Sequence, residues 1–307
     1  MVTGVRRGLV PAALLTLALS AAPALAEPAL WKVSDADSHV WLFGSVHILD
    51  SQRDWRSPRF DAALAESDLV YFEVILDVDA YATMTRLTMT EGMNRGGKTL
   101  DDFLTVDQRA ILRSIAAANG LDYAVLKRMR PWLAELTLIQ QAGLGIDMSS
   151  GAAGVETIIA DEIDDARERE FETPEFQFNL LAGRSEADQV ASLMATANSL
   201  SRQAGMLEEM VDVWLAGEHE ALHEVMVSEF GSVEDPTYKR LLSDRNRDWV
   251  TQIEGILARN ESAMVIVGAG HLAGPASVQT FLEERGYTVT LESAPPEGDA
   301  PRPVTPR

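Results

Sequence analysis

Ala263-Met264-Val265-Ile266-Val267-Gly268-Ala269-Gly270-His271 is a run of five apolar residues, a glycine turn and a histidine. An unbroken apolar run of this length, with no polar alternation, is what a strand covered on both faces carries. The glycine that follows permits a sharp turn and a close approach by a ligand. Trp41-Leu42-Phe43-Gly44-Ser45-Val46-His47 repeats the design: apolar strand, glycine, two residues, histidine. In open α/β sheets, ligands bind at the carboxyl ends of the strands. Two neighbouring strand ends of this kind would bring His47 and His271 together.

Working outward, Leu30-Trp31-Lys32-Val33 and His39 to Phe43 flank a polar turn and read as a hairpin. Residues 57–67 read as a helix beginning at Ser57-Pro58. Leu69 to Ile75 is a further β-rich run, and Glu73 is the one charge inside it. A carboxylate within a buried strand is costly unless it is paired or binds a cation. Tyr287 to Leu291 reads as a last strand, preceded by a helix over Ser277–Arg285 that Gly286 stops.

The middle of the chain is helical. Thr105-Val106-Asp107-Gln108 is a capping box opening a helix that ends near Gly120. Tyr123 to Leu144 continues helically, with a break at Arg130-Pro131-Trp132. Further helices are expected over Val155–Arg167, from Ser185 to about Gln203, over 206–216 and 218–229, and from Asp235-Pro236 to about Arg259. The expected fold is α/β: a central mixed sheet with flanking helices and a large helical insertion spanning about 79–259, within a single domain over 27–293. Residues 294–307, rich in proline, read as a disordered tail.

The first 26 residues have the layout of a secretory signal peptide. Arg6-Arg7 precede an apolar stretch, and Ala24-Leu25-Ala26 supplies an A-x-A cleavage site. The expectation is an exported protein, periplasmic or secreted, with no stable membrane span after cleavage. The full chain of 307 residues carries a net charge of −21. Removing residues 1–26 takes away two arginines and leaves 24 basic against 47 acidic residues. Such a surface repels phosphate backbones and excludes nucleic acid as a partner. There is no cysteine. Disulfides, iron–sulfur clusters and thiolate-bound zinc are therefore excluded, and only His and carboxylates remain as metal ligands.

Read singly, His47 is an ordinary hydrogen-bonded core histidine and Glu73 a residue at a sheet edge. The doubled strand–G-x-x-H pattern with an acid on a third strand makes a joint site of them: two His and one Glu are a common open metal set with a position left for water. Arg245 shares the apolar helical face of Tyr238, Leu241, Leu242, Trp249, Ile253 and Ile256. An arginine there requires a carboxylate or a bound anion, with Glu156 and Glu172 as candidate partners and Asn246 as a further candidate.

The ordered set of short motifs resembles the TraB/GumN family, whose relatives include the Tiki proteases. It comprises Leu30-Trp31-Lys32-Val33, Leu42-Phe43-Gly44-Ser45-Val46-His47, Phe72-Glu73, Met129-Arg130-Pro131-Trp132, Gly154-Val155-Glu156, Phe171-Glu172-Thr173-Pro174-Glu175-Phe176-Gln177, Arg245-Asn246-Arg247-Asp248-Trp249, and Val267 to Pro275. The resemblance implies His47, His271 and Glu73 as metal and catalytic residues. It also implies the α/β core with a helical insertion of the superfamily that includes erythromycin-esterase-like and ChaN-like proteins. The chain departs from the family pattern where Gly-x-Asp is usual. It offers Gly154-Val155-Glu156 there, and Gly145-Ile146-Asp147 upstream.

One motif competes. His219-Glu220-Ala221-Leu222-His223 is an H-E-x-x-H sequence, which on a helix sets two His on one face with a Glu as base. Met226 stands where a metzincin has glycine, and Glu218, Glu220 and Glu224 suit a solvated helix face. The leading expectation is metal-assisted hydrolysis of the peptidase type, with manganese, zinc or cobalt as the ion and a peptide or small molecule as substrate. The alternatives are a non-catalytic protein that holds haem, a metal or a peptide signal, and a zincin-type peptidase built on His219, Glu220 and His223.

Overall fold

The computed structural model describes residues 27–292 other than 48, 51 and 142–153. The residues read as a signal peptide, the proline-rich tail and Gly145-Ile146-Asp147 lie outside the described residues. Strands β1 (Leu30–Ser34) and β2 (His39–Ser45) pair antiparallel, Leu30 opposite Phe43 and Ser34 opposite His39. The turn between them closes on Asp35, whose carboxylate accepts from the Ser38 N–H and hydroxyl. Helix α1 (Pro58–Glu66) starts where the Ser57 hydroxyl accepts the Phe60 N–H. Strand β3 (Leu69–Phe72) follows.

Between Phe72 and Ala263 the chain is mostly helical. It forms α2 (Val78–Glu91), α3 (Val106–Ala118), α4 (Tyr123–Leu126), α5 (Pro131–Ile139) and α6 (Val155–Ala160). After the short strand β4 (Glu168–Glu170) come α7 (Pro174–Ala182), α8 (Glu186–Leu215), α9 (His219–Phe230), α10 (Pro236–Tyr238) and α11 (Asp244–Ala258). The chain then returns to the sheet with β5 (Ala263–Gly268), α12 (Val278–Glu284) and β6 (Thr288–Leu291).

The six strands form one mixed sheet in the order β4-β3-β5-β2-β1-β6. β4, β3, β5 and β2 run parallel, and β1 is antiparallel to both of its neighbours. Both faces are covered, as the apolar run at 263–267 requires. Ala263, Val265 and Val267 pack with Trp249, Ile253, Ile256 and Phe281 from α11 and α12. Met264 and Ile266 face the other way, onto Phe60, Val155, Ile159 and Trp214 from α1, α6 and α8. A separate helical core is built from Leu112, Leu126, Leu138, Leu193 and Met194. The fold is α/β with a mixed sheet, flanking helices and helical insertions. No helix among the described residues is long and apolar enough to cross a membrane.

Helices α2 and α7 lie where the sequence reads only as part of a helical insertion, and four further elements differ from the expected ones. Strand β3 ends at Phe72, so Glu73 lies just past the strand and not within it. Its carboxylate accepts the Gly268 N–H at 2.7 Å, a side-chain bond at the point where the ladder to β5 ends. Helix α6 stops at Ala160 instead of Arg167, which leaves room for β4. Strand β4 was not expected, because Glu-Arg-Glu has no strand pattern. It is an edge strand whose pairing is made by backbone groups to Val70, Tyr71 and Phe72. Helix α8 runs unbroken for 30 residues, through Gly205, where two helices were expected. The roughly 1 kcal/mol that glycine costs inside a helix is outweighed by packing along its length against α5, α3 and α9.

Candidate active site

The site forms at the carboxyl ends of β2, β3 and β5. Arg245, on the first turn of α11, is its centre, buried with 7 % of its side-chain surface exposed. All five guanidinium N–H groups have acceptors. Nε and Nη2 form a fork on the two Glu172 oxygens at 2.7 and 2.8 Å. Nη2 also donates to Glu73 Oε2 at 2.5 Å, and Nη1 donates to the Leu241 carbonyl and to His271 Nε2, both at 3.0 Å. Trp249 forms the floor, 4.7 Å beneath the guanidinium and 4.3 Å from the His271 ring, with its Nε1–H donated to Glu172 Oε1. Gln177 ties the carboxylates together, donating to Glu172 Oε2 at 2.6 Å and to Glu73 Oε2 at 3.3 Å.

Burial alone would raise the Glu73 carboxyl. The positive neighbours His271, Arg245 and His47 and the Gly268 N–H outweigh burial and hold it at about 2. His271 contributes only when protonated, and its own burial pushes it down to about 3. Arg245 is thus the permanent counter-charge at neutral pH. Glu172 shifts upward, because burial and the neighbouring Glu73 charge outweigh its bonds to Arg245 and Trp249.

Asn246 fixes the His271 tautomer. Its amide N–H groups donate to the His271 and Ala276 carbonyls, so Oδ1 faces His271 Nδ1, 2.5 Å away. His271 is then neutral with its proton on Nδ1, and Nε2 presents a lone pair.

His47 lies just past the end of β2, with 71 % of its side-chain surface open. Its Nδ1 is 3.0 Å from Glu156 Oε1, and the Ser45 hydroxyl donates to the same oxygen. The hydrogen bond to Glu156 is the main pull that draws the imidazole up to about 9, against burial; solvent at the exposed ring screens part of that pull. Glu156 is itself held below the usual carboxylate range, against burial, by His47 and Ser45. Gly154 brings α6 in close: a Cβ there would sit 2.8 Å from the His47 carbonyl.

Gly268 is where the three principal residues meet. Lacking a side chain, it leaves a space whose Cβ position is 3.1 Å from Glu73 Oε1, 3.7 Å from His47 Nε2 and 3.7 Å from His271 Cδ2. Its backbone angles (φ −50, ψ 133) are ordinary for any residue, so a methyl group there meets no strain in the turn and displaces only the Glu73 carboxylate, by a few tenths of an ångström. Gly268→Ala is therefore expected to fold with a melting temperature within a few degrees of the parent. Its methyl group would fill the cradle and lower any activity of the site by at least about a hundredfold. Wild-type turnover in Gly268→Ala would show that the cradle is not used.

A family model, that of the TraB/PrgY/gumN family, matches residues 29–291. The chain belongs to the TraB/PrgY/gumN family. Comparison with curated proteins and with solved structures gives no match. Six of the motifs that carry the TraB/PrgY/gumN resemblance converge on this one locus: the two G-x-x-H turns, Phe72-Glu73, Gly154-Val155-Glu156, the Phe171–Gln177 segment and the Arg245–Trp249 helix. Leu30–Val33 in β1 and Met129–Trp132, whose Trp132 packs on Phe178, lie elsewhere. Of the two acids considered for Arg245, Glu172 is the partner, while Glu156 pairs with His47.

Ser45, Gln177 and Trp249 belong to the site although the sequence did not mark them as functional, whereas Gly268 was expected to admit a ligand and does leave the open space. All three stand inside motifs of the family resemblance, but which side chain each faces is a tertiary fact. The H-E-x-x-H residues lie apart, on α9. His219 packs edge-on against Trp31, and His223 lies over Gly274 and near the Tyr238 hydroxyl. Burial pushes His223 downward, and Leu222, Val225 and Met226 of this helix are core residues. Both rings have packing roles.

Proposed function

We propose that this chain is a metal-dependent hydrolase of peptide substrates, with a divalent ion held by His47, His271 and Glu73. The observation that carries the reading is the cradle at Gly268, toward which Glu73 Oε1, His47 Nε2 and an edge of the His271 ring are turned. The donor set fits such an ion. Each imidazole has Nδ1 engaged by an oxygen, from Glu156 for His47 and from Asn246 for His271. Metal-binding histidines are held in this way, with the other ring nitrogen left to the ion. Among the described residues no three such side chains are closed up enough to hold an ion as they stand. Closure requires Arg245 Nη1 to release His271 Nε2, which leaves the guanidinium its bonds to Glu172 and to the Leu241 carbonyl.

A bound divalent ion of this kind polarises a carbonyl and lowers the pKa of water; manganese, zinc and cobalt all suit imidazole and carboxylate donors. The chain's own residues supply the rest. Glu73, ionised across the neutral range, either ligates through Oε1 or accepts a proton from an attacking water. Arg245, fixed by Glu172, sets a positive charge beside the developing oxyanion. His47 must lose a proton to ligate, and Glu156 accepts the hydrogen bond that keeps its ring aimed.

The deciding experiment pairs elemental analysis of the purified protein with hydrolysis of a quenched-fluorescence peptide library, before and after chelation. Bound ion together with chelator-sensitive cleavage supports the proposal. Absence of both ion and cleavage would sink it. Bound ion, or a haem Soret band, without cleavage would favour the binding-protein alternative. Glu156→Gln weakens the aim of His47 without touching the cradle, and a loss of about 10–100-fold in metal affinity is expected by titration. An unchanged affinity would mean that Glu156 serves packing only.

A further inference from the structure

Helix α2 buries one side and leaves the other bare. Ala80 is in the core, and Met84 and Leu87 pack on Trp132 and Phe178. The opposite face carries Val78 at 83 % exposure, Tyr81 at 59 % and Met89 at 75 %. Exposed Ala82 and Thr85 stand between them. A shallow groove on this face is lined by Tyr81, Ala82, Thr85, Arg86, Met89 and Thr90. A stripe at i, i+4, i+7 and i+11 is what a helix buries against a partner. It is unusual as bare surface on a chain with 24 % charged residues. Its two charges, Asp79 and Arg86, are both exposed, and among the described residues neither has an ion-pair partner in its own chain.

We propose that this face binds a second copy of the chain, α2 crossing its symmetry mate antiparallel about a twofold axis near Ala82. The argument is self-complementarity. In a twofold pair each contact occurs twice, residue i on j and j on i. An antiparallel crossing centred between positions 82 and 83 sets Asp79 of one copy opposite Arg86 of the other. It sets Val78 beside Met89 and brings Tyr81 alongside Thr85, while Ala82 at the centre permits close approach. At about 100° per residue, Asp79 and Arg86 lie on one flank of the stripe, and the twofold lays that flank against its own copy. A stripe about 18 Å long on a helix about 10 Å across covers roughly 200 Å², well below the roughly 800 Å² per partner of a standard interface. The pairing is therefore reversible. It does not depend on the hydrolase reading.

The test is sedimentation velocity of the chain from Glu27 to Arg307, from about 1 to about 200 µM, for wild type, Asp79→Arg, Arg86→Asp, the double charge swap, and an equimolar mixture of the two single variants. Circular dichroism confirms that each is folded. Wild type should move from monomer to dimer with concentration. Each single variant sets like charges opposite each other and should dissociate at least about tenfold more readily. The double swap and the mixture each restore both pairs and should recover the dimer. A wild type monomeric throughout, a dimer indifferent to the single changes, or a mixture that stays monomeric would each overturn the proposal.

Discussion

Arg245→Met is expected to destabilise the fold by about 3–5 kcal/mol, the usual loss when one partner of a buried ion network is removed. Methionine keeps much of the side-chain volume, so the loss is electrostatic and not a cavity effect. It leaves Glu73 and Glu172 adjacent, buried and ionised, with Gln177 as a shared donor and the Gly268 and Trp249 N–H groups as their other partners. The melting temperature should fall by on the order of 10 °C, read by thermal or urea unfolding at pH 7. Adding Glu172→Gln should recover part of the loss by removing one charge, and the non-additivity of the pair measures their coupling.

The pH dependence has a definite sign. In the parent, the Glu73 carboxyl at about 2 is well below its ordinary value of 4.5. A depressed carboxylate contributes stability that is fully present above about pH 4.5 and is lost as pH falls toward 2. Without Arg245 much of that depression goes, leaving only His47 and the Gly268 N–H to oppose burial at neutral pH, and the carboxylates gain by protonation instead. The gap between parent and Arg245→Met should therefore narrow between pH 7 and pH 4. A gap under 1 kcal/mol at pH 7, or one that widens in acid, would mean that the guanidinium does not neutralise this pair.

The same residues show what a single sequence reveals and where it stops. Strands β2 and β5 were legible because a strand covered on both faces must be continuously apolar. Helix starts at Ser57, Thr105, Ser185 and Asp235 were legible because their side chains accept a first-turn N–H, as each does here. Strand β4 was not, since pairing made by the backbone leaves no mark on Glu168-Arg169-Glu170. Helix α8 was cut in two because the propensity cost of Gly205 is local whereas the packing that overrides it is not.

At the site, helical periodicity put Arg245 on a buried face and so demanded an acid, but it could not choose between Glu156 and Glu172. That choice depends on α6 docking at the Val46–His47 turn, where the Val155 N–H donates to the Val46 carbonyl, and on α7 following β4. Glu73 was found for a reason that needed revision. It is not an acid inside a strand but the residue at which the strand ends, its side chain bonded to the neighbouring strand's Gly268.

On the proposed metal-dependent reading, His47→Ala is expected to reduce hydrolysis by about 10³-fold or more while leaving the fold intact. If the ion contributes several kcal/mol of transition-state stabilisation, losing a ligand forfeits most of it, and each 1.36 kcal/mol is tenfold in rate. The fold should tolerate the change because the ring is largely exposed and gives little to the core, and Glu156 keeps the Ser45 hydroxyl as a partner. His271→Ala should lose the ion as well. It also frees a donor of Arg245 and opens a gap over Trp249, so its stability loss should exceed that of His47→Ala. The control is His219→Ala with His223→Ala, which touches only the packing of α9 against Trp31, Gly274 and Tyr238. Ion content retained there and lost in the His47 and His271 variants would locate the chemistry at the strand ends. Ion lost only from the α9 double variant would move the chemistry to the H-E-x-x-H helix, and the cradle at Gly268 would then need another explanation.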